Sequence, residues 1–160
     1  PRKLNPMINN DILRSLRYTF DLDDKAMINI FSLAGNIVLR DELCSWLKKD
    51  EDSSFKSCSD KDFVSYLNGF ILYKRGTQDK AIQETSPILT NNLILKKIKI
   101  ALSLKSVDIL SLLDLVDIKI SKHELSALFR HKDHKNYREC KDQFLRNFLR
   151  GLQKKYRPDS

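Results

Sequence analysis

The chain has 160 residues, of which 41% are apolar and 31% charged, and it carries a formal net charge of +8. That length allows one sizeable domain or two small ones, and the composition is that of a soluble globular protein, neither disordered nor fibrous. Only four Gly and four Pro occur, so few turns are demanded and long helices are favoured over a many-stranded sheet.

Residues 1–6 read unlike the rest of the chain. With Met7 as a native start, they are expected to be an expression remnant or else a disordered N-terminus, and are set aside. No apolar run reaches the length of a membrane span and no signal-peptide pattern opens the chain, so a cytoplasmic location and no membrane contact are expected. Cys44, Cys58 and Cys140 are an odd count without close pairing, which fits a reducing compartment.

From Asn9 onward the chain repeats itself. Shifted by 82 residues, 9–75 aligns with 91–157 without a gap, and 13 of the 67 pairs are identical. Unrelated sequences would give roughly 4 or 5. The fold expected is all-α: two tandem copies of a four-helix unit of 67 aligned residues, packed as a pseudo-symmetric helical domain. Copy one covers residues 7–75 and copy two 91–157.

The first helix of each copy carries an apolar stripe at helical spacing, Ile12, Leu13, Leu16 and Phe20 matched by Ile94, Leu95, Ile98 and Leu102. An Asn pair stands in front of each (Asn9 and Asn10, Asn91 and Asn92) and is expected to cap its first turn. The second helix starts at Asp24 or Ser106, both read as caps, and Gly35 can end it in copy one. The third is announced in copy two by a capping box, Ser121 with Glu124. Copy one has Leu39 in place of that serine. A polar loop then ends in Cys58 or Cys140, and the fourth helix begins near Asp60 or Asp142, where a carboxylate suits the positive end of the helix dipole. Residues 76–90 form a polar linker. Fifteen residues reach about 50 Å when extended, so the linker does not fix how the copies dock.

Gly69 and Gly151 fall inside the fourth helices, where glycine costs up to about 1 kcal/mol relative to alanine. Their recurrence points to a close helix crossing that admits no side chain. The fourth helix of copy one is apolar nearly all round, with Val64, Ile71 and Leu72 added to the core stripe. It is expected to pack centrally between the copies, or else to form a protein or homodimer contact.

The charge is one-sided. Residues 1–80 hold 13 basic and 12 acidic residues, net +1, and residues 81–160 hold 16 and 9, net +7. On the fourth helix of copy two, Arg146, Arg150, Lys154 and Arg157 recur at helical spacing; copy one has Val64, Asn68, Leu72 and Arg75 there. Six aligned pairs are basic in both copies, Arg14/Lys96, Arg17/Lys99 and Arg75/Arg157 among them. Such pairs are ordinarily a solvated helix face. A second-copy surface of Lys96, Lys99, Arg138, Arg146, Arg150, Lys154 and Arg157 for RNA or DNA is the functional expectation.

Other chemistry finds little support. His131, His134 and Cys140 are metal-ligand types, but their spacing matches no zinc pattern, and copy one offers Lys49, Asp52 and Cys58 instead. An enzyme using the loop from His131 to Cys140 is a third alternative, but a repeated cysteine behind an aromatic residue reads as a small buried apolar group. No catalytic residue, metal or cofactor is assigned.

Four segments, NDILRSLRY at 10–18, YLNGFILYKRG at 66–76, LKKIKIALSLK at 95–105 and DHKNYRECKDQFLRNFLRGL at 133–152, resemble the bacterial YehS-like family. The resemblance runs from Met7 to about Lys155. It implies a cytoplasmic bacterial protein with a duplicated helical domain of unknown function, and it supplies no activity, cofactor or catalytic residue.

Overall fold

A computed structural model of the chain describes residues 6–76 and 88–158. Residues 1–5 and most of the linker, 77–87, lie outside the described residues, and with them most of the two segments set apart in the sequence. The described chain is all-helical: α1 (Asn9–Thr19), α2 (Asp24–Leu33), α3 (Arg40–Leu47) and α4 (Asp60–Arg75) in copy one, then α5 (Asn91–Ala101), α6 (Ser106–Asp114), α7 (Lys122–Ala127) and α8 (Asp142–Tyr156) in copy two.

Each helix buries the stripe its sequence marks. Ile12, Leu13 and Leu16 face inward from α1, as Ile94, Leu95 and Ile98 do from α5. Met27, Ile30 and Phe31 of α2 correspond to Ile109, Leu112 and Leu113 of α6. The corners between helices are made by left-handed residues in matching register. Asp21 (φ 52°) and Ser103 (φ 53°) turn the first corner, Gly35 (φ 82°) and Asp117 (φ 60°) the second. At the second corner of copy one, the Asn36 N–H donates to the Phe31 carbonyl and the Gly35 N–H to that of Ser32, the paired bonds of a Schellman turn.

Capping departs from the sequence reading in three places. The Asn pairs do not cap: α1 and α5 start on Asn9 and Asn91, and the caps are Ile8 and Thr90. Thr90 accepts from the Leu93 N–H at 3.2 Å. The freed asparagines reach across the unit instead. Asn10 donates to the carbonyls of Trp46 (3.0 Å) and Lys56 (2.9 Å) and accepts from the Cys58 N–H (3.0 Å). Asn92 does the same with Leu128 (2.9 Å), Arg138 (2.8 Å) and Cys140 (2.8 Å). Each buried amide therefore pins the loop before the fourth helix to the first helix. The cap of α2 is Asp23, one residue earlier than read, accepting from the Ala26 N–H at 2.8 Å. At α6 the cap position is Lys105, which makes no side-chain cap bond, while the Asp108 carboxylate accepts from its N–H at 2.7 Å. The capping box at α7 forms as read, Ser121 with Glu124.

Gly69 and Gly151 mark the close crossings their positions implied. A Cβ on Gly69 would lie 1.8 Å from the Ile30 carbonyl oxygen on α2, and one on Gly151 2.4 Å from that of Leu112 on α6. The fourth helices then exchange partners. α4 packs against α5 of the other copy and α8 against α1, two contacts that the 82-residue shift interconverts. The result is one continuous core drawn from both copies. An aromatic chain, Phe31–Tyr66–Phe70–Phe20–Tyr156, crosses it with ring centroids 5.0 to 6.0 Å apart. The apolar α4 is thus central: of the residues added to its core stripe, Ile71 and Leu72 are buried and Val64 is half-buried. Lys97 of α5 is buried at the same junction, its Nζ 2.6 Å from Asn68 Oδ1.

Candidate functional site

α8 is amphipathic in the strict sense. Leu145, Phe148, Leu149, Gly151 and Leu152 are buried on one side. Arg150 and Lys154 are exposed on the other, with Arg146 half-buried beside them. Arg150 Nη1 donates to Asn147 Oδ1 at 3.4 Å, which also accepts from Gln143 Nε2 at 3.3 Å. Between Gln143 and Tyr156 the helix contains no carboxylate. Its cap position holds Lys141 without a side-chain cap bond, where α4 has Ser59 accepting from the Asp62 N–H at 3.1 Å.

Arg157, read as the end of the stripe, turns inward. Its Nη1 donates to the Tyr18 carbonyl, its guanidinium stacks 4.1 Å from the Tyr18 ring centroid, and Asp21 Oδ1 lies 3.7 Å away. Arg75 is its twin: Nη1 donates to the Ile100 carbonyl (3.3 Å) and to Ser103 Oγ (3.1 Å). Each fourth helix therefore ends in an arginine that caps the carboxyl end of the other copy's first helix, where a cation meets the negative end of the dipole. For this pair the repeated charge has a structural duty.

The seven residues read as one surface fall into separate groups. Arg146, Arg150 and Lys154 run along α8 toward Arg157 and the α1–α2 corner. Lys96 and Lys99 lie on α5 beside Arg75 of the other copy, Lys96 exposed and Lys99 Nζ 5.2 Å from the Phe129 ring centroid. Arg138 is exposed on the loop before α8, 3.7 Å from Glu124 Oε2.

Sequence reasoning missed a cleft of about 600 Å3 at the α1–α2 corner, lined by Arg14, Arg17 and Arg157 together with Tyr18, Asp21 and Asp23. Its arginines are internally neutralised. Arg14 pairs with Asp11 (2.7 Å), Arg17 with Asp24 (2.9 Å) and Arg157 approaches Asp21. The signal was present in the aligned basic pairs, but reading each copy alone could not bring Arg157 to Arg14 and Arg17.

The cysteine loops carry no nucleophile geometry. Cys58 and Cys140 are buried. Burial, reinforced by the carboxylates of Asp62 and Asp142 respectively, pushes both thiols up to about 12. His134 is exposed and its Nδ1 accepts from the Asn136 N–H at 3.0 Å. Among the described residues no group of three or more His, Cys, Asp or Glu side chains is placed to hold a metal ion. Among them also no helix is long and apolar enough to cross a membrane.

A family model described as a protein of unknown function, DUF1456, matches residues 9–76 and again 91–157. The chain belongs to the DUF1456 family. The two matched segments coincide with the two helical copies, so the family's unit is the four-helix repeat seen here. A relative described as uncharacterized protein YehS, from Escherichia coli (strain K12), is 42% identical over 147 residues, covering 91% of this chain and 94% of that one. The YehS-like resemblance read from the sequence is therefore borne out. No solved structure matches the chain. DUF1456 membership brings no activity with it, and the reading of function rests on the surface.

Proposed function

We propose that the protein is a non-enzymatic binding module for nucleic acid, with the cationic second copy contacting RNA or DNA phosphates. The observation that carries the reading is the solvent face of α8, where Arg146, Arg150 and Lys154 follow one another with no carboxylate on the helix after Asp142. Such a face supplies the sequence-independent, counterion-releasing part of binding, and phosphate contacts of this kind position a chain without reading bases. The net +7 of the second half supports the same partner.

The test is fluorescence anisotropy with labelled single-stranded RNA and duplex DNA across a salt series. About six phosphate contacts give a slope of log affinity against log salt near −5 on duplex DNA. Reversing Arg146, Arg150 and Lys154 to Glu is expected to abolish binding without unfolding the chain. Affinity indifferent to salt, or unchanged by the reversal, would refute the reading.

A further inference from the structure

The α1–α2 corner has a counterpart in the α5–α6 corner, and the two differ in one consistent way. Under the 82-residue shift, Arg14, Arg17 and Arg157 become Lys96, Lys99 and Arg75. The backbone is held alike: Leu22 N–H donates to the Arg17 carbonyl (3.0 Å) and Leu104 N–H to that of Lys99 (2.9 Å). The cations persist while the acids do not. Asp11, Asp21, Asp23, Asp24 and Asp50 become Leu93, Ser103, Lys105, Ser106 and Lys132. Every carboxylate that lines or neutralises the first cleft is replaced, twice by a lysine.

The substitution at position 105 works against folding. Asp23 caps α2 with its side chain, whereas Lys105 places a cation at the positive end of α6 and makes no side-chain cap bond. The Asp108 carboxylate is occupied by the Lys105 N–H. Among the described residues, no carboxylate lies within ion-pair distance of Lys96, Lys99 or Lys105. A fold that gives up a cap to gain a charge points to an external anion.

We infer that the α5–α6 corner, formed by Lys96, Lys99 and Lys105 with Arg75 from the other copy, is a phosphate-contacting site for the nucleic-acid backbone, and that the α1–α2 corner is its silenced twin. This rests on the nucleic-acid reading and locates a contact apart from the α8 stripe. Arg75 anchors the α5–α6 corner through the Ile100 carbonyl and Ser103, so the site requires both copies.

The test transplants the first-copy acids. Ser103→Asp, Lys105→Asp and Ser106→Asp together place side chains that the same backbone already accepts in copy one. The control, Lys61→Glu with Lys119→Glu, makes the same change of −4 in net charge at exposed positions elsewhere. Anisotropy with single-stranded RNA and duplex DNA is expected to show at least a tenfold greater loss of affinity for the transplant than for the control. The salt slope should become shallower by about 2 to 3. Conversely, Asp21→Ser with Asp24→Ser should tighten binding by opening the twin. If the wild-type chain binds and the transplant loses no more than the control, the inference fails while the α8 reading stands. A wild-type chain that binds neither nucleic acid overturns both. Thermal unfolding of the transplant at or above the wild-type midpoint separates lost contact from lost fold.

Discussion

Replacing Gly69 with alanine tests the helix crossing on which the whole arrangement depends. An added Cβ would stand 1.8 Å from the Ile30 carbonyl oxygen and 2.7 Å from its carbon. Carbon and oxygen at such crossings ordinarily approach to about 3.3–3.6 Å, so α4 must retreat from α2 by about 1.5 Å. The obstacle is backbone, so no rotamer change relieves it. A radial gap of even 0.5–1 Å forfeits about a quarter to a half of each dispersion contact, and Phe31, Tyr66 and Phe70 pack at this seam. Overpacking costs about 1–3 kcal/mol and sometimes more, against about 1 kcal/mol gained from alanine's helix propensity. Gly69→Ala should therefore destabilise by about 2 kcal/mol, the upper end of that balance. Gly151→Ala meets Leu112 at 2.4 Å and should cost less, about 1 kcal/mol by the same balance. Gly35→Ala has open space around it but a φ of 82°, so it should lose only about 1 kcal/mol of backbone strain. Urea unfolding followed by circular dichroism at 25 °C ranks the three. A Gly69→Ala chain as stable as wild type, or less affected than Gly151→Ala, would refute the reasoning.

The buried asparagines offer a second test: Asn92→Ala removes three hydrogen bonds and orphans the Cys140 N–H, so a loss of about 3 kcal/mol is expected in the same assay. Thiol labelling with a maleimide at pH 8, read by mass spectrometry, should modify Cys44 in the folded chain and spare Cys58 and Cys140, whose protons are held by burial. The linked sign is fixed: these thiols ionise near 8.5 when unfolded and only at about 12 when folded. Their contribution to stability is full below the unfolded value and falls as pH rises above it, which urea midpoints at pH 8 and pH 10 would display. Finally, restoring first-copy caps by Lys105→Asp and Lys141→Ser should each raise stability by about 0.5–1 kcal/mol, and a lowered thermal midpoint for both would count against the view that cation was kept at the expense of capping.

Much of the fold was legible because the repeat doubled every local signal. The stripe of α1 recurs in α5, the capping box of Ser121 stands where Leu39 does, and a helical glycine appearing twice could be read as a crossing before its partner was known. The asparagine pairs were visible as identities but misread, because capping is the local use of an amide and their partners lie 36 to 48 residues away. The site was legible as charge and illegible as place. Lys96 and Arg146 belong to one copy in sequence, yet the helix that carries Lys96 ends on Arg75 of the other copy, while Arg146 leads along α8 to Arg157 at the other copy's corner. Helix periodicity fixes which residues share a face, and it says nothing of which helix that face will meet.

The exchange of fourth helices makes the chain the covalent equivalent of a twofold dimer. Two separate identical units meeting in this way would be bound by symmetry to present the same corner twice. Joined in one chain, they are released from that obligation. Acids can accumulate at Asp21, Asp23 and Asp24 while lysine settles at position 105, because each corner now has its own codons. Fusion thus converts a symmetric object into a polar one, with a front and a back, and a strand lying across it would meet two different ends.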